Sequence, residues 1–174
     1  MPEDWRTSLI SPLYKKGERD VIDNYNYREI SLLSTAAYKI YAMVLDDRIK
    51  TEIERKMVLP DMQADFRKGR RTVDNIYILQ HVAEKAIEEK EGKLFAFFID
   101  LKAAFDRVER SRLWEAMKKA GISEGLVERT QEIYTETRSK VRIKDETSEE
   151  FWTQEEVRQG CPLSPTLFTI LIAD

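Results

Sequence analysis

Apolar residues recur every four positions at Tyr41, Leu45, Ile49, Ile53 and Met57. That spacing draws one stripe down a long helix. Ser34 stands ahead of it as an N-cap and Pro60 lies beyond its end. A second stripe, Ile76, Leu79, Val82, Ala83, Ala86 and Ile87, follows a cap at Thr72 or Asp74 and stops at Gly92. The pattern then changes. Leu94-Phe95-Ala96-Phe97-Phe98-Ile99 is apolar without alternation and ends at Asp100, which predicts a central strand covered on both faces. Two helices are predicted over 108–120, closed by Gly121, and over 123–137. Segments 140–143 and 151–158 read as a hairpin around a charged loop. Ser164-Pro165 pairs an N-cap with proline at the first helical position and opens a helix carrying Leu167, Phe168, Ile170 and Leu171. At the other end, residues 6–14 are extended in character. They lead through the polar turn Lys15-Lys16-Gly17-Glu18-Arg19-Asp20 to a second strand at 27–33, a hairpin with a long loop. Elements in this order predict an α+β fold rather than an alternating βαβ sheet.

Composition narrows the setting. The 174 residues make one domain or a piece of a larger one. A hydrophobic share of 42% rules out a disordered acidic tail. No apolar run approaches the roughly 20 residues that span a bilayer, and no secretory leader is visible at the N-terminus. One cysteine, Cys161, leaves no internal disulfide and no Cys/His zinc cluster. The expected setting is intracellular, nuclear or cytoplasmic, and off the membrane. With 29 Lys and Arg against 32 Asp and Glu, the net charge is −3. Nucleic acid would therefore have to be met by a local basic patch.

Three stretches carry candidate chemistry. An aspartate at the end of a buried strand, as predicted for Asp100, meets solvent while its backbone stays rigid. That suits a carboxylate holding a divalent cation, as in two-metal phosphoryl transfer with ions about 3.5–4 Å apart. Strand-end aspartates also cap helices or act as hydrolase nucleophiles, although the second aspartate of aspartyl phosphatases is Lys102 here. Asp106-Arg107-Val108-Glu109 has capping-box spacing, which predicts Asp106 as a helix cap. The second stretch, Arg158-Gln159-Gly160-Cys161-Pro162-Leu163-Ser164-Pro165, is a stiff loop. It reads either as a connector or as a nucleotide grip through Gln159 and backbone donors. The third, Phe66-Arg67-Lys68-Gly69-Arg70-Arg71, sets four cations beside an aromatic. It reads as a solvated face or as a surface for phosphates and a stacked base. His81 is read as a polar-face histidine, and Cys161 has no neighbour that would make it a nucleophile.

These stretches stand in a telling order: Ile10-Ser11-Pro12-Leu13-Tyr14-Lys15-Lys16-Gly17, Tyr27-Arg28-Glu29-Ile30-Ser31-Leu32-Leu33, Gln63-Ala64-Asp65-Phe66-Arg67-Lys68-Gly69-Arg70, then 98–106 and 158–165. From about Ile10 to the last residue the chain resembles the reverse transcriptase domain of non-LTR (LINE-type) retrotransposons. The resemblance implies a right-hand polymerase, with fingers over about 1–92 and an incomplete palm, an unfinished antiparallel sheet with helices, over about 93–174. It implies Asp100 as a catalytic carboxylate and ligand of Mg2+. Phe105 falls where an aromatic meets the incoming sugar, although a packed core phenylalanine is the other reading. Gln159 falls where a residue seats the nucleotide. Lys15 or Lys16 and Arg28 fall where the triphosphate is contacted, and Arg67, Lys68, Arg70 and Arg71 near template RNA. Such a site needs cations on one side of the triphosphate and metal on the other. The implied partners are template RNA, primer DNA and deoxynucleoside triphosphates.

The chain departs from that pattern in three places. Glu29 stands where the family usually has proline, adding negative charge beside Arg28. Asp65 replaces a turn glycine, and Arg71 a common serine. The paired Ala-Asp-Asp turn of the palm does not occur in the 174 residues; the tail Ile172-Ala173-Asp174 reads as helix, with Asp174 no metal ligand. The expectation is therefore a fragment of an RNA-directed DNA polymerase, inactive by itself and with a sticky unpaired edge on the strand ending at Asp100. The other readings are a non-catalytic RNA-binding or scaffolding domain of the same descent, and an intron-encoded maturase.

Overall fold

A computed structural model describes residues 1–20, 26–32, 36–88 and 92–174. The elements in chain order are β1 (Thr7–Tyr14), β2 (Tyr27–Leu32), α1 (Ala36–Lys56), α2 (Thr72–Glu88), α3 (Arg110–Lys119), α4 (Glu124–Tyr134), β3 (Arg138–Ile143), β4 (Glu146–Thr147), β5 (Phe151–Trp152) and α5 (Ser164–Ala173). They fall into two compact units: Met1–Leu59 with Ala103–Asp174, and Pro60–Lys102. None of the described helices is long and apolar enough to cross a membrane.

The first unit is a small sheet with four helices. The predicted hairpin forms: β1 and β2 run antiparallel with Ile10 opposite Ser31, Pro12 opposite Glu29 and Tyr14 opposite Tyr27. Paired residues share a face, so Glu29 lies on the same side as buried Ile10 and Ser31. The amides of Lys15 and Lys16 both donate to the Asn26 carbonyl, at 2.7 and 3.4 Å, and close the turn. The sheet as a whole is mixed rather than antiparallel, because β1 also pairs parallel with β3 over residues 7–10. That ladder stops short of Pro12, which has no N–H to give. Buried Ser8 and Ser139 join their hydroxyls across it at 2.9 Å.

The core lies between α1, α3, α4 and α5. On α1 the buried stripe is Tyr38, Ala42, Leu45, Ile49 and Ile53, one turn earlier than expected at both ends. Met57 is 85% exposed and left-handed at φ +51, so the helix has already ended there. The predicted cap Ser34 lies outside the described residues. The helix predicted from Val108 begins at Arg110 because the Val108 carbonyl is taken by the Glu156 amide at 3.0 Å. The helix predicted to 137 stops at Tyr134, where Thr135 turns extended toward β3. The strand predicted over 151–158 shrinks to Phe151–Trp152, paired to β3. Beyond it the carbonyls of Thr153, Glu155 and Glu156 accept from the Arg110 guanidinium at 2.9–3.1 Å instead of from a ladder. α5 begins with Ser164 itself, Leu163 taking the N-cap position expected for Ser164, and ends at Ala173; Asp174 is its C-cap rather than a helix residue and pairs with Lys119 at 2.9 Å.

The second unit corrects two expectations. No described residue of Pro60–Lys102 is buried. Residues 94–99 form no strand, and Phe95 and Phe97 are 90% and 89% exposed. The face of α2 carrying Ile76, Leu79, Val82 and Ile87 is likewise open, with Ala83 and Ala86 only half-buried. A strand needs a neighbour to take its N–H and C=O groups, and among the described residues of this unit there is no strand at all. A segment this short also has little apolar surface with which to cover its own.

Two glycines provide a test of the first unit. Gly160 has φ +113, and a Cβ there would lie 2.8 Å from the Ser31 carbonyl oxygen; around Gly125 nothing lies within 4 Å. Gly160→Ala should cost at least about 2 kcal/mol, a drop in melting temperature of roughly 4–8 °C. Gly125→Ala should instead gain about 0.4–1 kcal/mol. Thermal melts of both variants check the contrast.

Candidate functional site

The site is built outward from a buried arginine. Arg158, 3% exposed, lays its guanidinium over the Tyr38 ring at 5.4 Å and donates to the carbonyls of Trp5 and Arg6, both at 3.1 Å. Its neighbour Gln159 accepts the Ser31 amide of β2 at 2.7 Å through its carbonyl. Gly160 then passes so close to Ser31 that no side chain fits. A second pair of bonds joins this loop to the segment before α3. The Val157 amide donates to the Phe105 carbonyl at 3.1 Å, and the Glu156 amide donates to Val108. Phe105 and Gln159 are thus carried on one clasped frame. The Phe105 ring stacks on Phe168 of α5 at 4.9 Å and 21°, half-buried. Phe105 packs on the core, as one of its two readings expects, and keeps a partly open face.

Asp106 does not cap α3. The N-cap position is Glu109, with no capping bond from its side chain. Asp106 instead accepts a hydrogen bond from the Gln159 side-chain nitrogen. It also faces two other carboxylates: one oxygen each from Glu29, Asp106 and Glu156 lie within 4.8 Å of one another. At that spacing three carboxylates need a positive charge among them, which a proton or a divalent cation supplies. Burial pushes the Glu156 carboxyl up to about 7, helped by Glu29 and Asp106 and opposed by Arg110 and Arg158. Glu29 is raised by burial first and Asp106 second, with the Lys15 ammonium pulling it back. Glu156 is also left-handed, at φ +75, an uncommon state for a residue with a Cβ. Sequence reasoning passed over Glu156 and assigned Asp106 to a cap. The available signal was Glu29, an acid in place of proline, which asks what surrounds it.

The remaining candidates fall elsewhere. Lys15 acts on Glu29 by its charge, Lys16 is exposed, and Arg28 lies opposite Leu13 on the outward face of β2. Asp100 belongs to the other unit and is exposed at the end of the open apolar run. In the basic stretch Arg67 donates to the carbonyls of Pro60 and Gln63, at 2.9 and 3.3 Å, and Arg70 pairs with Asp61 at 3.0 Å. Lys68 and the side chain of Arg71 are exposed, while the Arg71 amide is capped by Asp74 at 2.9 Å. The left-handed positions of this turn are Phe66 and Gly69, so Asp65 meets no glycine requirement. His81 stacks on Tyr77 on exposed α2. Cys161 is buried, with its sulfur 3.7 Å from the Tyr38 hydroxyl.

The chain matches the family described as reverse transcriptase (RNA-dependent DNA polymerase) over residues 13–174. It is 30% identical, over 99% of its length, to a probable RNA-directed DNA polymerase from transposon BS of Drosophila melanogaster, and covers 19% of that protein. It is 31% identical over 99% of its length to the transposon TX1 uncharacterized 149 kDa protein of Xenopus laevis, covering 13% of it. It is 28% identical over 99% of its length to the RNA-directed DNA polymerase from mobile element jockey of Drosophila funebris, covering 18%. The chain thus spans a fifth or less of the length of these curated relatives.

The carboxylate group makes a prediction about pH. Glu156 binds its proton more tightly folded than unfolded, so its contribution to stability is full below about 4.5 and is lost as pH rises toward about 7. The size is on the order of 3 kcal/mol. Glu156→Gln should remove this slope, so the variant should overtake the parent in melting temperature above neutral pH. Parallel pH profiles of the two proteins check it.

Proposed function

The chain belongs to the reverse transcriptase family, and from that membership we propose that it is the fingers, about 1–92, and part of the palm, about 93–174, of a non-LTR retrotransposon RNA-directed DNA polymerase. The reaction is nucleotidyl transfer: a primer 3′-hydroxyl attacks the α-phosphate of a deoxynucleoside triphosphate, and pyrophosphate leaves. The observation that carries the reading is the clasped frame of Phe105 and Gln159, within a match that spans nearly the whole chain. On that frame Gln159 offers an amide to the nucleotide and Phe105 offers an aromatic edge to its sugar. Lys15, Lys16 and Arg28 supply positive charge for the triphosphate.

Magnesium prefers hard oxygen ligands. The exposed carboxylate of Asp100 provides that chemistry and is the residue that would hold it. When bound, the ion neutralises charge that develops on the transferring phosphoryl group. Template RNA is met by Lys68 and Arg71, while Arg67 and Arg70, turned to Pro60, Gln63 and Asp61, shape the turn that presents them.

One observation favours a second reading, a non-catalytic RNA-binding domain of the same descent. Glu29 adds a third carboxylate beside Asp106 and Glu156, next to the amide that would seat a triphosphate, and like charge opposes phosphate.

Two measurements separate the readings. Titration with a magnesium–deoxynucleoside triphosphate should give saturable binding that Gln159→Ala weakens roughly tenfold, about 1.4 kcal/mol. An unchanged Kd removes the nucleotide site and leaves RNA binding. For single-stranded RNA, Lys68→Ala with Arg71→Ala should flatten the slope of log K against log salt by about 1.4, near 0.7 per lost phosphate contact. An unchanged slope would make the basic turn a solvated face.

A further inference from the structure

Gln159 has little freedom in its backbone and one unsettled choice in its side chain. Its carbonyl is bonded to β2, Arg158 before it is buried, and Gly160 after it abuts Ser31. The side chain's one hydrogen bond, to Asp106, then bears on how the terminal amide is turned. A primary amide presents donors on one side and an acceptor on the other, and a half-turn exchanges them. An ionised carboxylate only accepts, so the bond to Asp106 forms only with the nitrogen turned toward it. Asp106 is itself held in place. Its amide donates to the Ala103 carbonyl at 3.1 Å, and the adjoining Phe105 carbonyl is gripped by Val157.

We propose that Asp106 is the positioning residue of the nucleotide seat: by taking one hydrogen of the Gln159 amide nitrogen, it leaves the amide oxygen and the second hydrogen presented in a fixed order. The oxygen then accepts from a nucleotide hydroxyl and the hydrogen donates to a phosphate or base oxygen. This inference rests on the nucleotide reading above and goes further, because it assigns the seat's polarity to a second residue, Asp106, acting through Gln159. It also gives a reason for Asp106 to stand among carboxylates. Its oxygen is worth more as an aligned acceptor than it costs in repulsion, and the elevated affinity of Glu156 for a proton relieves that repulsion.

The test reads the amide directly. In a 15N-labelled chain, the side-chain amide of Gln159 is the pair of signals that disappears in Gln159→Ala. The two protons should be well separated, with one slow to exchange. In Asp106→Ala they should converge on the values of exposed amides and exchange at least tenfold faster, while the backbone spectrum stays put. Asp106→Asn keeps the volume and an acceptor but can also donate, so the slow proton should be only partly protected; this variant decides the matter if Asp106→Ala does not fold. Unchanged separation and exchange in the variant that folds would overturn the proposal. A triphosphate titration then links the amide to its ligand. Asp106→Ala and Gln159→Ala should weaken binding by similar factors, and the double variant by no more than either. Multiplying losses would overturn the positioning role. If Gln159→Ala leaves the Kd unchanged, the nucleotide reading fails, while the amide spectrum still decides what Asp106 does to Gln159.

Discussion

Two guanidiniums turned into the protein, Arg158 buried and Arg110 half-buried, tie the irregular parts of the first unit together through backbone carbonyls. Arg158 is satisfied by the carbonyls of Trp5 and Arg6, Arg110 by those of Tyr134, Thr153, Glu155 and Glu156 together with the Thr137 hydroxyl. The Arg6 carbonyl also takes the Arg138 amide at 2.9 Å, so one guanidinium ties the irregular chain between β5 and α5 to the start of the β1–β3 ladder. Tyr38 and Tyr134 lend their ring faces to the same two cations. The loop that carries Gln159 is therefore fixed both by charge–dipole bonds from the two guanidiniums and by backbone bonds to β2 and the segment before α3.

That construction explains why an unfavourable group of carboxylates can persist. Glu29 is delivered by β2, Asp106 by the segment clasped to Val157, and Glu156 by a left-handed residue in the clasp itself. The backbone that delivers each of the three is held by bonds elsewhere in the fold. Burial and the two neighbouring carboxylates raise the proton affinity of Glu156.

The two units contrast in how their apolar residues are used. In the first, stripes on α1, α3, α4 and α5 close on one another around Ile49, Leu113, Met117, Ile133 and Leu167. In Pro60–Lys102 a helix with a good stripe and an apolar run as strong as any in the chain both stand open. Hydrophobic pattern states what a segment would bury; whether it does depends on a partner surface.

Much was legible from local rules. The β1–β2 hairpin, the five α-helices of the described residues and the family resemblance all rest on short-range spacing and residue type, which act over a few positions of the chain. The register of α1's buried stripe, the parallel pairing of β1 with β3, the shortened β5 and the open state of 94–99 were decided by partners far away in sequence. The site divides in the same way. Gln159 and Phe105 could be singled out from motif order alone. Asp106 could not be moved from cap to carboxylate group until Glu29 and Glu156, from distant segments, were brought against it. Spacing along a chain reports which residues can meet within one turn or strand; electrostatics and hydrogen bonding across the fold act through space, and that distance exists only once the chain is folded.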